Sequence, residues 1–361
     1  TSKKILLSGA KPTGIPHIGN YFGALKQFVD LQDDYDTYIM IADLHALTSV
    51  HNANDLREMT RDLVLTYLGI GLDPEKITLF RQSDVTGHTE LSWIFDCITT
   101  MPYLQRAHAF KDAEAKDHEI NVGVFNYPML MAADILLYDA DVVPVGKDQK
   151  QHIEYTRDTA QKFNNTFGET FKLPKELIVE SVETVPGIDG QKMSKSYKNT
   201  IPLFGTDEEI KKAVMSIVTD SSGDVPTNVY AIHKLFKSEA ELKDLYEEKK
   251  GKYKDLKEAL LSDILAFVTP MRERRERYAN SPELVAEILK SGAEKANAKA
   301  KAKMETIRKQ VALNEIKKHQ LVFFLFLHFQ NQIIRNLFKI SCSHFPNGQF
   351  SDSHAYQSGN G

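Results

Sequence analysis

Short apolar runs alternate with amphipathic stretches along the first 80 residues of the chain. Apolar or β-branched runs predict three buried strands, at residues 5–7, 37–42 and 77–80. Helical periodicity between them predicts one helix over residues 20–31 and another that begins with a capping aspartate, Asp55. Strands that alternate with helices predict an α/β fold with a parallel, doubly wound sheet of the Rossmann type. Such a sheet binds ligands at the carboxyl ends of its strands.

The pattern changes twice further along the chain. Residues 87–170 are mostly helical apart from a core strand at 141–146, so we expect a catalytic domain over 1–205 with a helical insertion. Residues 206–318 carry charged helical patterns and predict a separate α-helical domain. Residues 319–361 fit neither pattern. Their apolar run at 321–327 is too short to span a bilayer, and we predict a poorly structured tail without assigned function.

Composition narrows the class of protein. The 361 residues include 45 basic and 49 acidic side chains, and a net charge of −4 argues against DNA-type binding over the whole surface but allows a local basic patch. Two cysteines, Cys97 and Cys342, are too few for a zinc site or a disulfide framework. No run of about eighteen apolar residues indicates a membrane span. We therefore expect a cytoplasmic enzyme that binds neither membrane nor DNA.

The segment after the first strand is punctuated by Gly9, Pro12, Gly14 and Pro16 and then restarts as a helix. A strand, a glycine-rich loop and a helix form a phosphate-binding arrangement, because backbone N–H groups and the helix dipole both attract anions. Neither common phosphate motif is present. The loop ends instead in His-Ile-Gly-Asn at residues 17–20, with a histidine where phosphates would lie.

A second motif, Lys-Met-Ser-Lys-Ser, stands at residues 192–196. Alone, it is typical of a solvated turn, and a lone His17 is typical of a surface histidine. Together and in this order they resemble the HIGH and KMSKS signatures of class I aminoacyl-tRNA synthetases. Residues 127–136 and 146–152 further resemble the bacterial tryptophanyl branch, and the tyrosyl branch is expected to differ at both.

The resemblance implies an activity. It implies ATP-dependent activation of L-tryptophan to tryptophanyl-adenylate and transfer to tRNA(Trp), with Mg²⁺ carried by the nucleotide and no dedicated metal site on the protein. It also implies a homodimer and an anticodon-reading surface in the helical domain. Three alternatives remain open: a tyrosyl-type synthetase, a non-catalytic paralogue that senses tRNA or tryptophan, and a nucleotidyltransferase for a small cofactor.

The catalytic side chains implied by the resemblance are His17, Lys192 and Lys195, which would stabilise charge growing on the transferred phosphoryl group. The wider ATP-binding set would also include Lys11, Pro12, Thr13, Gly19, Asn20, Gly146, Lys147, Asp148, Val185, Met193, Ser194 and Ser196. Two of these depart from common patterns. Lys11 replaces a glutamine or arginine, and Asn20 replaces the second histidine of many class I enzymes. Val185 is explained equally well as a core valine before a turn.

Asp134 lies in an apolar helical stretch, where a carboxylate must be hydrogen-bonded or paired. It is either a satisfied structural aspartate or, as the resemblance implies, the acceptor for an indole N–H. The same resemblance implies a tryptophan site completed by Met131, Tyr127, Gln149, His45, Val143 and Val145.

Two basic stretches, 272–277 and 295–309, are typical of solvated helical faces, and only the resemblance suggests contact with tRNA. Other histidines, among them His88, His108 and His118, lack metal-ligand spacing and are interpreted as structural or exposed.

Overall fold

The computed structural model describes residues 3–107, 110–111, 120–145, 150–178, 185–219 and 225–313. Its sheet has five strands in the order β3-β2-β1-β4-β5, and every pairing is parallel. The strands are β1 Ile5–Ala10, β2 Asp36–Ile41, β3 Ile77–Arg81, β4 Val142–Val145 and β5 Lys175–Ile178. The predicted α/β fold with a doubly wound sheet is confirmed.

Helices cover both faces of the sheet and continue beyond it. The α-helices are α1 Ile18–Asn20, α2 Lys26–Leu31, α3 Asp43–Ala46, α4 Ala53–Gly69, α5 Gly87–Ile98, α6 Met101–Leu104, α7 Val122–Leu136, α8 Lys150–Phe167, α9 Asp207–Met215, α10 Thr227–His233, α11 Glu239–Glu248, α12 Tyr253–Ala279 and α13 Pro282–Gln310. Asn52 caps α4 by accepting from the amides of Asn54 and Asp55. The prediction of Asp55 as the capping residue was therefore wrong, because the helix begins earlier.

The strand order reverses direction at β1, which lies between β2 and β4. β1 pairs with β2 along its length, from Ile5 opposite Asp36 to Ala10 opposite Ile41. The carboxyl ends of both strands therefore meet at one edge of the sheet. The crevice beside such a reversal is where doubly wound sheets bind ligands.

The helix after the first loop is not regular. α1 passes through a π-helical stretch, Tyr21–Leu25, before α2 begins. Phe22 of this stretch stacks on Phe267 of α12, with ring centroids 5.6 Å apart, and meets Phe236 edge to face at 5.3 Å. This aromatic contact joins the helix of the first motif to the later helices.

The last two helices pack back against the sheet and its covering helices. α12 lies along α4, and α13 crosses β3 so closely that a Cβ atom on Gly292 would overlap the backbone of Leu79. Residues 1–310 form one compact unit by their contacts. The predicted boundary between residues 205 and 206 stays a prediction, and the predicted tail falls outside the described residues.

The arginines of the first basic stretch attach α12 to the sheet domain. Arg272 donates to the carbonyl of Gly205 at 3.0 Å and pairs with Asp207 at 2.7 Å. Its neighbours do the same, since Arg274 reaches the Gly69 carbonyl and Arg275 pairs with Asp62. These three guanidinium groups therefore have partners within the chain. None of the described helices is both long enough and apolar enough to cross a membrane.

Candidate active site

His17 occupies the N-cap of α1 at the end of the first loop. Its Nδ1 accepts from the backbone amide of Asn20 at 3.3 Å, and the Asn20 side chain accepts in return from the His17 amide at 3.1 Å. Since the partner of Nδ1 is an N–H donor, the proton of the neutral ring lies on Nε2. Burial, with a smaller contribution from the charge of Lys195, lowers the pKa of His17 to about 4. At neutral pH His17 is thus an uncharged ring with one N–H to donate.

The two sequence motifs, at residues 17–20 and 192–196, lie side by side although they are far apart in the chain. Residues 201–203 run antiparallel to the end of the first loop, with the amide of Ile18 donating to the carbonyl of Ile201 at 3.0 Å. The amide of Gly19 points at the Sδ atom of Met193, 3.3 Å away. Lys195 Nζ donates to the carbonyl of Thr13 at 3.2 Å.

The lysine motif rests on a tight turn. The amide of Met193 donates to the carbonyl of Val185 at 2.9 Å, and both side chains are buried. Lys192, Lys195 and Ser196 are exposed around this buried pair, while Ser194 is half-buried. The turn therefore fixes its apolar residue in the core and presents its cations outward.

Lys11 belongs to the first loop, and its side chain contacts the segment that follows α3. Its Nζ lies 3.3 Å from Thr48 Oγ1 and 3.2 Å from Ser49 Oγ, two neutral hydroxyls. Partial burial lowers the pKa of Lys11. Its neighbour Pro12 is buried, whereas Thr13 is exposed and offers its carbonyl to the lysine loop.

Asp134 lies on α7 and is only 2% exposed. Its Oδ1 accepts from Gln82 Nε2 and from His88 Nδ1, each at 2.7 Å, and its Oδ2 contacts His45 Nε2 at 2.9 Å. Burial alone would raise the pKa of Asp134, but the hydrogen bonds from His45 and His88 outweigh it and lower the pKa to about 2. The carboxylate is therefore charged, and acts only as an acceptor.

Gln82 and His88 were missed by the sequence analysis as members of this centre. His88 is completely buried and links Asp134 to Tyr138, whose hydroxyl lies 2.9 Å from Nε2. His88 was interpreted as structural or exposed. Its complete burial agrees with a structural residue, but that interpretation overlooked its hydrogen bond to Asp134. Gln82 carried one usable signal, because it directly follows β3 at the carboxyl edge of the sheet.

The other predicted tryptophan residues divide into two groups. Tyr127 packs near His45, with ring centroids 6.2 Å apart, and its hydroxyl lies 3.0 Å from His152 Nε2. Val143 is buried in β4 and Met131 is half-buried on α7. Gln149 and the side chain of Val145 lie outside the described part of the chain, and so do three residues of the predicted ATP-binding set, Gly146, Lys147 and Asp148.

The described residues thus form two centres at the carboxyl edge of the sheet, and Thr48 joins them, since it contacts Lys11 of one and donates to the carbonyl of His45 in the other. One is a cationic loop over a glycine-rich turn, suited to polyanions. The other is a buried carboxylate beside aromatic rings, suited to a ligand with an N–H group in an apolar body. An arrangement of this kind can hold a phosphate compound next to an aromatic one.

Comparison with known proteins gives the family of the chain. The family model for tRNA synthetases class I (W and Y) matches residues 1–272. The tryptophan–tRNA ligase of Fusobacterium nucleatum subsp. nucleatum is 50% identical over 316 residues, covering 85% of this chain and 97% of that protein. The corresponding ligase of Rhodopirellula baltica is 44% identical over 317 residues, covering 85% and 99%.

A solved structure shows the same similarity in three dimensions. The crystal structure of tryptophanyl-tRNA synthetase from Campylobacter jejuni, complexed with ADP and tryptophan, superposes with a TM-score of 0.80. It is 42% identical, and the match covers 86% of this chain and all of that one.

Proposed function

The chain belongs to the class I tRNA synthetases of the tryptophan and tyrosine group, and from this we propose that it is an ATP-dependent tryptophan–tRNA ligase of the cytoplasm. It activates L-tryptophan as tryptophanyl-adenylate and transfers the tryptophanyl group to tRNA(Trp). One observation supports this most directly: the two sequence motifs meet across the first loop, and Asp134 is buried against His45, whose carbonyl accepts from Thr48, a contact of Lys11 in that loop.

Activation joins two anions. An oxygen of the tryptophan carboxylate attacks the α-phosphorus of ATP, a P–O bond forms, and the bond to the leaving pyrophosphate breaks. The protein contributes positioning and charge stabilisation, as in other phosphoryl transfers. His17 donates from Nε2 to a phosphate oxygen, and Lys192 and Lys195 place ammonium groups on the same phosphates. At a separation of ~4 Å and an effective dielectric of ~20, each such contact contributes up to ~4 kcal/mol before desolvation.

Mg²⁺ arrives with the nucleotide in this proposal. Among the residues that the structure describes, no group of three or more His, Cys, Asp and Glu side chains could hold a metal ion. When bound together with ATP, the ion would supply positive charge that offsets the negative charge of the phosphates.

Tryptophan is selected by Asp134 in this account. Oδ2 has one described donor, His45, and so retains acceptor capacity, whereas Oδ1 already accepts from two donors. We assign the indole N–H to Oδ2. Met131 packs on the ring, His45, Val143 and the predicted Val145 line the pocket, and Tyr127 with Gln149 holds the α-amino group. A site that must satisfy a buried polar group rejects a ligand without the matching donor by roughly 10⁴ to 10⁵. Phenylalanine is therefore excluded strongly, whereas the rejection of tyrosine, which carries a hydroxyl donor, depends more on the shape of the pocket.

The second basic stretch supports contact with tRNA(Trp). Within residues 295–309, Lys303 pairs with Asp139 at 2.6 Å, and Arg308 pairs with Glu90. The remaining lysines have no ion pair within the described residues and lie along α13, at Lys295, Lys299, Lys301 and Lys309. Unpaired lysines on one helix attract a phosphate backbone.

A homodimer is supported by exposed apolar side chains on neighbouring helices. Trp93 of α5 is 70% exposed, Met101 of α6 is 63% exposed, and Val122 at the start of α7 is 78% exposed. Apolar groups of this size on adjacent helices are typical of a protein–protein interface. Light scattering of the purified protein and of Trp93→Glu tests this, and a monomeric wild type would contradict it.

Charging of tRNA tests the complete function. Purified protein with ATP, Mg²⁺, radiolabelled tryptophan and tRNA(Trp) should yield acid-precipitable tryptophan, and tRNA for another amino acid should not. Formation of the adenylate without charged tRNA would limit the function to the first step.

A further inference from the structure

The side chain of Asn199 ties together three points of the lysine loop. Its Oδ1 accepts from the backbone amide of Ser194 at 2.7 Å. Its Nδ2 donates to the carbonyl of Lys192 at 3.1 Å and to Oδ1 of Asp189 at 2.8 Å. Asn199 is only 1% exposed, although the loop around it is largely exposed.

The orientation of this amide is fixed by its partners. A backbone N–H can only donate and a backbone carbonyl can only accept, so Oδ1 must face Ser194 and Nδ2 must face Lys192. Aspartate at this position would supply the acceptor but neither donor bond, and it would place a second carboxylate beside Asp189. The fit is also tight on the far side, where a Cβ atom on Gly187 would overlap the Asn199 amide.

The backbone of Asn199 connects the same loop to the first motif. Its carbonyl accepts from the amide of Ile188 at 3.0 Å, which closes the turn before the lysines. Two residues later, the carbonyl of Ile201 accepts from the amide of Ile18, the residue after His17. Asn199 therefore stands between the lysine loop and the segment that is bonded to the histidine.

We propose that Asn199 is a positioning residue for adenylate formation, an inference that rests on the proposed function. It holds the backbone on both sides of Met193, so that Lys192 and Lys195 reach the phosphates as one unit at a fixed distance from His17. Asn199 touches neither substrate. Its contribution is to preorganise charges that matter most when the transition state forms, so its loss is expressed in kcat.

Asn164 provides a matched control elsewhere in the protein. It is also buried, and its side chain also ties a loop together, accepting from the amides of Thr170 and Phe171 and donating to the carbonyl of Phe171 at 2.7 Å. It lies near the end of α8 and contacts none of the proposed site residues. Asn164→Ala therefore removes a comparable set of hydrogen bonds without touching the lysine loop.

The test is tryptophan-dependent ATP–pyrophosphate exchange on Asn199→Ala, Asn199→Asp and Asn164→Ala, with thermal unfolding of each variant. Net hydrogen-bond contributions predict that kcat falls about 10- to 100-fold in both Asn199 variants, while KM for tryptophan changes less than about 2-fold. Asn164→Ala is expected to lose a similar amount of thermal stability and to keep its kcat.

A second pair of variants keeps the test decisive if Asn199→Ala does not fold. Asp189 is exposed, so Asp189→Ala should fold, and it removes one of the three side-chain bonds. We expect a smaller fall in kcat, about 2- to 10-fold. Asp189→Asn with Asn199→Asp restores the bond between the two side chains and should recover part of the kcat lost in Asn199→Asp.

Two outcomes overturn the inference, and they differ from failure of the proposed function. A kcat in Asn199→Ala equal to that of Asn164→Ala would show a purely structural role. A rise in KM for tryptophan with unchanged kcat would place Asn199 in substrate binding. Wild-type protein without any exchange would instead contradict the proposed function itself.

Discussion

The Nζ atom of Lys195 lies 3.2 Å from the carbonyl oxygen of Thr13, 182 residues earlier in the chain. This hydrogen bond spans the gap between the lysine loop and the glycine-rich first loop. A neutral carbonyl is a weaker partner for an ammonium group than a phosphate oxygen is. A triphosphate bound over the first loop can therefore take the Lys195 ammonium group from Thr13 with a gain in free energy.

His17 gives a prediction about the pH dependence of stability. In the folded protein its pKa is about 4, whereas the unfolded chain takes up the proton near pH 6.5. Between these values the unfolded state binds more protons, so the free energy of unfolding falls as pH falls through this window. Replacement by asparagine keeps a capping oxygen but removes the titration, and His17→Asn should therefore show a flatter pH dependence.

Urea unfolding of wild type and His17→Asn at about pH 7 and about pH 5 measures this difference. His233, whose pKa is also lowered by burial, contributes equally to both proteins and cancels. Asp134 titrates near pH 2 and lies outside the window. Equal pH dependence in the two proteins would show that the pKa of His17 is the same in the folded and unfolded states, so that burial does not lower it.

Asp134→Asn should weaken tryptophan use while leaving the protein folded. The asparagine amide has one acceptor oxygen and no charge, so it cannot accept from both His45 and His88. The acceptor for the indole N–H is then weaker and differently oriented. Hydrogen bonds to charged groups contribute about 1.5–3 kcal/mol, which corresponds to a fall of roughly 10- to 150-fold in kcat/KM for tryptophan.

A second carboxylate–histidine pair supplies the control for that substitution. Asp263 lies 2.8 Å from His233 Nε2 in the later helices, far along the chain from the proposed site. Asp263→Asn should alter thermal stability but not tryptophan-dependent exchange. If both variants lost exchange to the same degree, the loss would come from stability and Asp134 would not be the indole acceptor.

The lysines of α13 give a prediction about salt. Replacing Lys295, Lys299 and Lys301 together by alanine should raise KM for tRNA(Trp) and reduce the slope of log affinity against log salt by about 2 to 3. Exchange of pyrophosphate, which does not involve tRNA, should be unchanged.

The control variant replaces Lys3, Lys26 and Lys76 by alanine, so it loses the same three positive charges as the α13 variant. These lysines contact Asp30 or Asp33, and no described ion pair joins them to α13. An equal loss of tRNA affinity in this control would attribute the effect to net charge and not to the α13 surface.

Gly292 and Gly23 give opposite predictions for the same change. Alanine at Gly292 would overlap the backbone of Leu79, so we expect Gly292→Ala to cost about 1–3 kcal/mol of unfolding free energy. Gly23 has nothing within 4 Å of an added Cβ, and Gly23→Ala should be neutral or stabilising by up to about 1 kcal/mol. Thermal unfolding compares them, and equal melting temperatures would contradict the close packing of α13 on β3.

Local sequence patterns were sufficient to predict the parallel sheet, and the two motifs were sufficient to predict which loops carry the site. The apolar run at residues 5–7 and its neighbours are buried strands because alternation with helices permits few other solutions. His17 and Lys195 were predicted as partners from the resemblance, and the structure places them on facing loops.

Contacts between distant segments could not be predicted from the sequence alone. His88 and Gln82 meet Asp134 only because β3, α5 and α7 pack together, and nothing in their local sequence indicates a carboxylate partner. Arg275 was placed in a solvated or tRNA-binding face, yet it lies over the ring of Phe204 and pairs with Asp62. A charged run on a helix does not reveal which of its members the fold uses.

Amino-acid-dependent ATP–pyrophosphate exchange tests whether the protein activates tryptophan. Tryptophan, tyrosine and phenylalanine are compared on the wild-type protein in the presence of Mg²⁺. We expect rapid exchange with tryptophan and none above background with phenylalanine or tyrosine. Exchange with tyrosine in place of tryptophan would move the chain to the tyrosyl branch. Folded protein that binds tryptophan or tRNA but exchanges with none of the three would contradict the account and indicate a sensor.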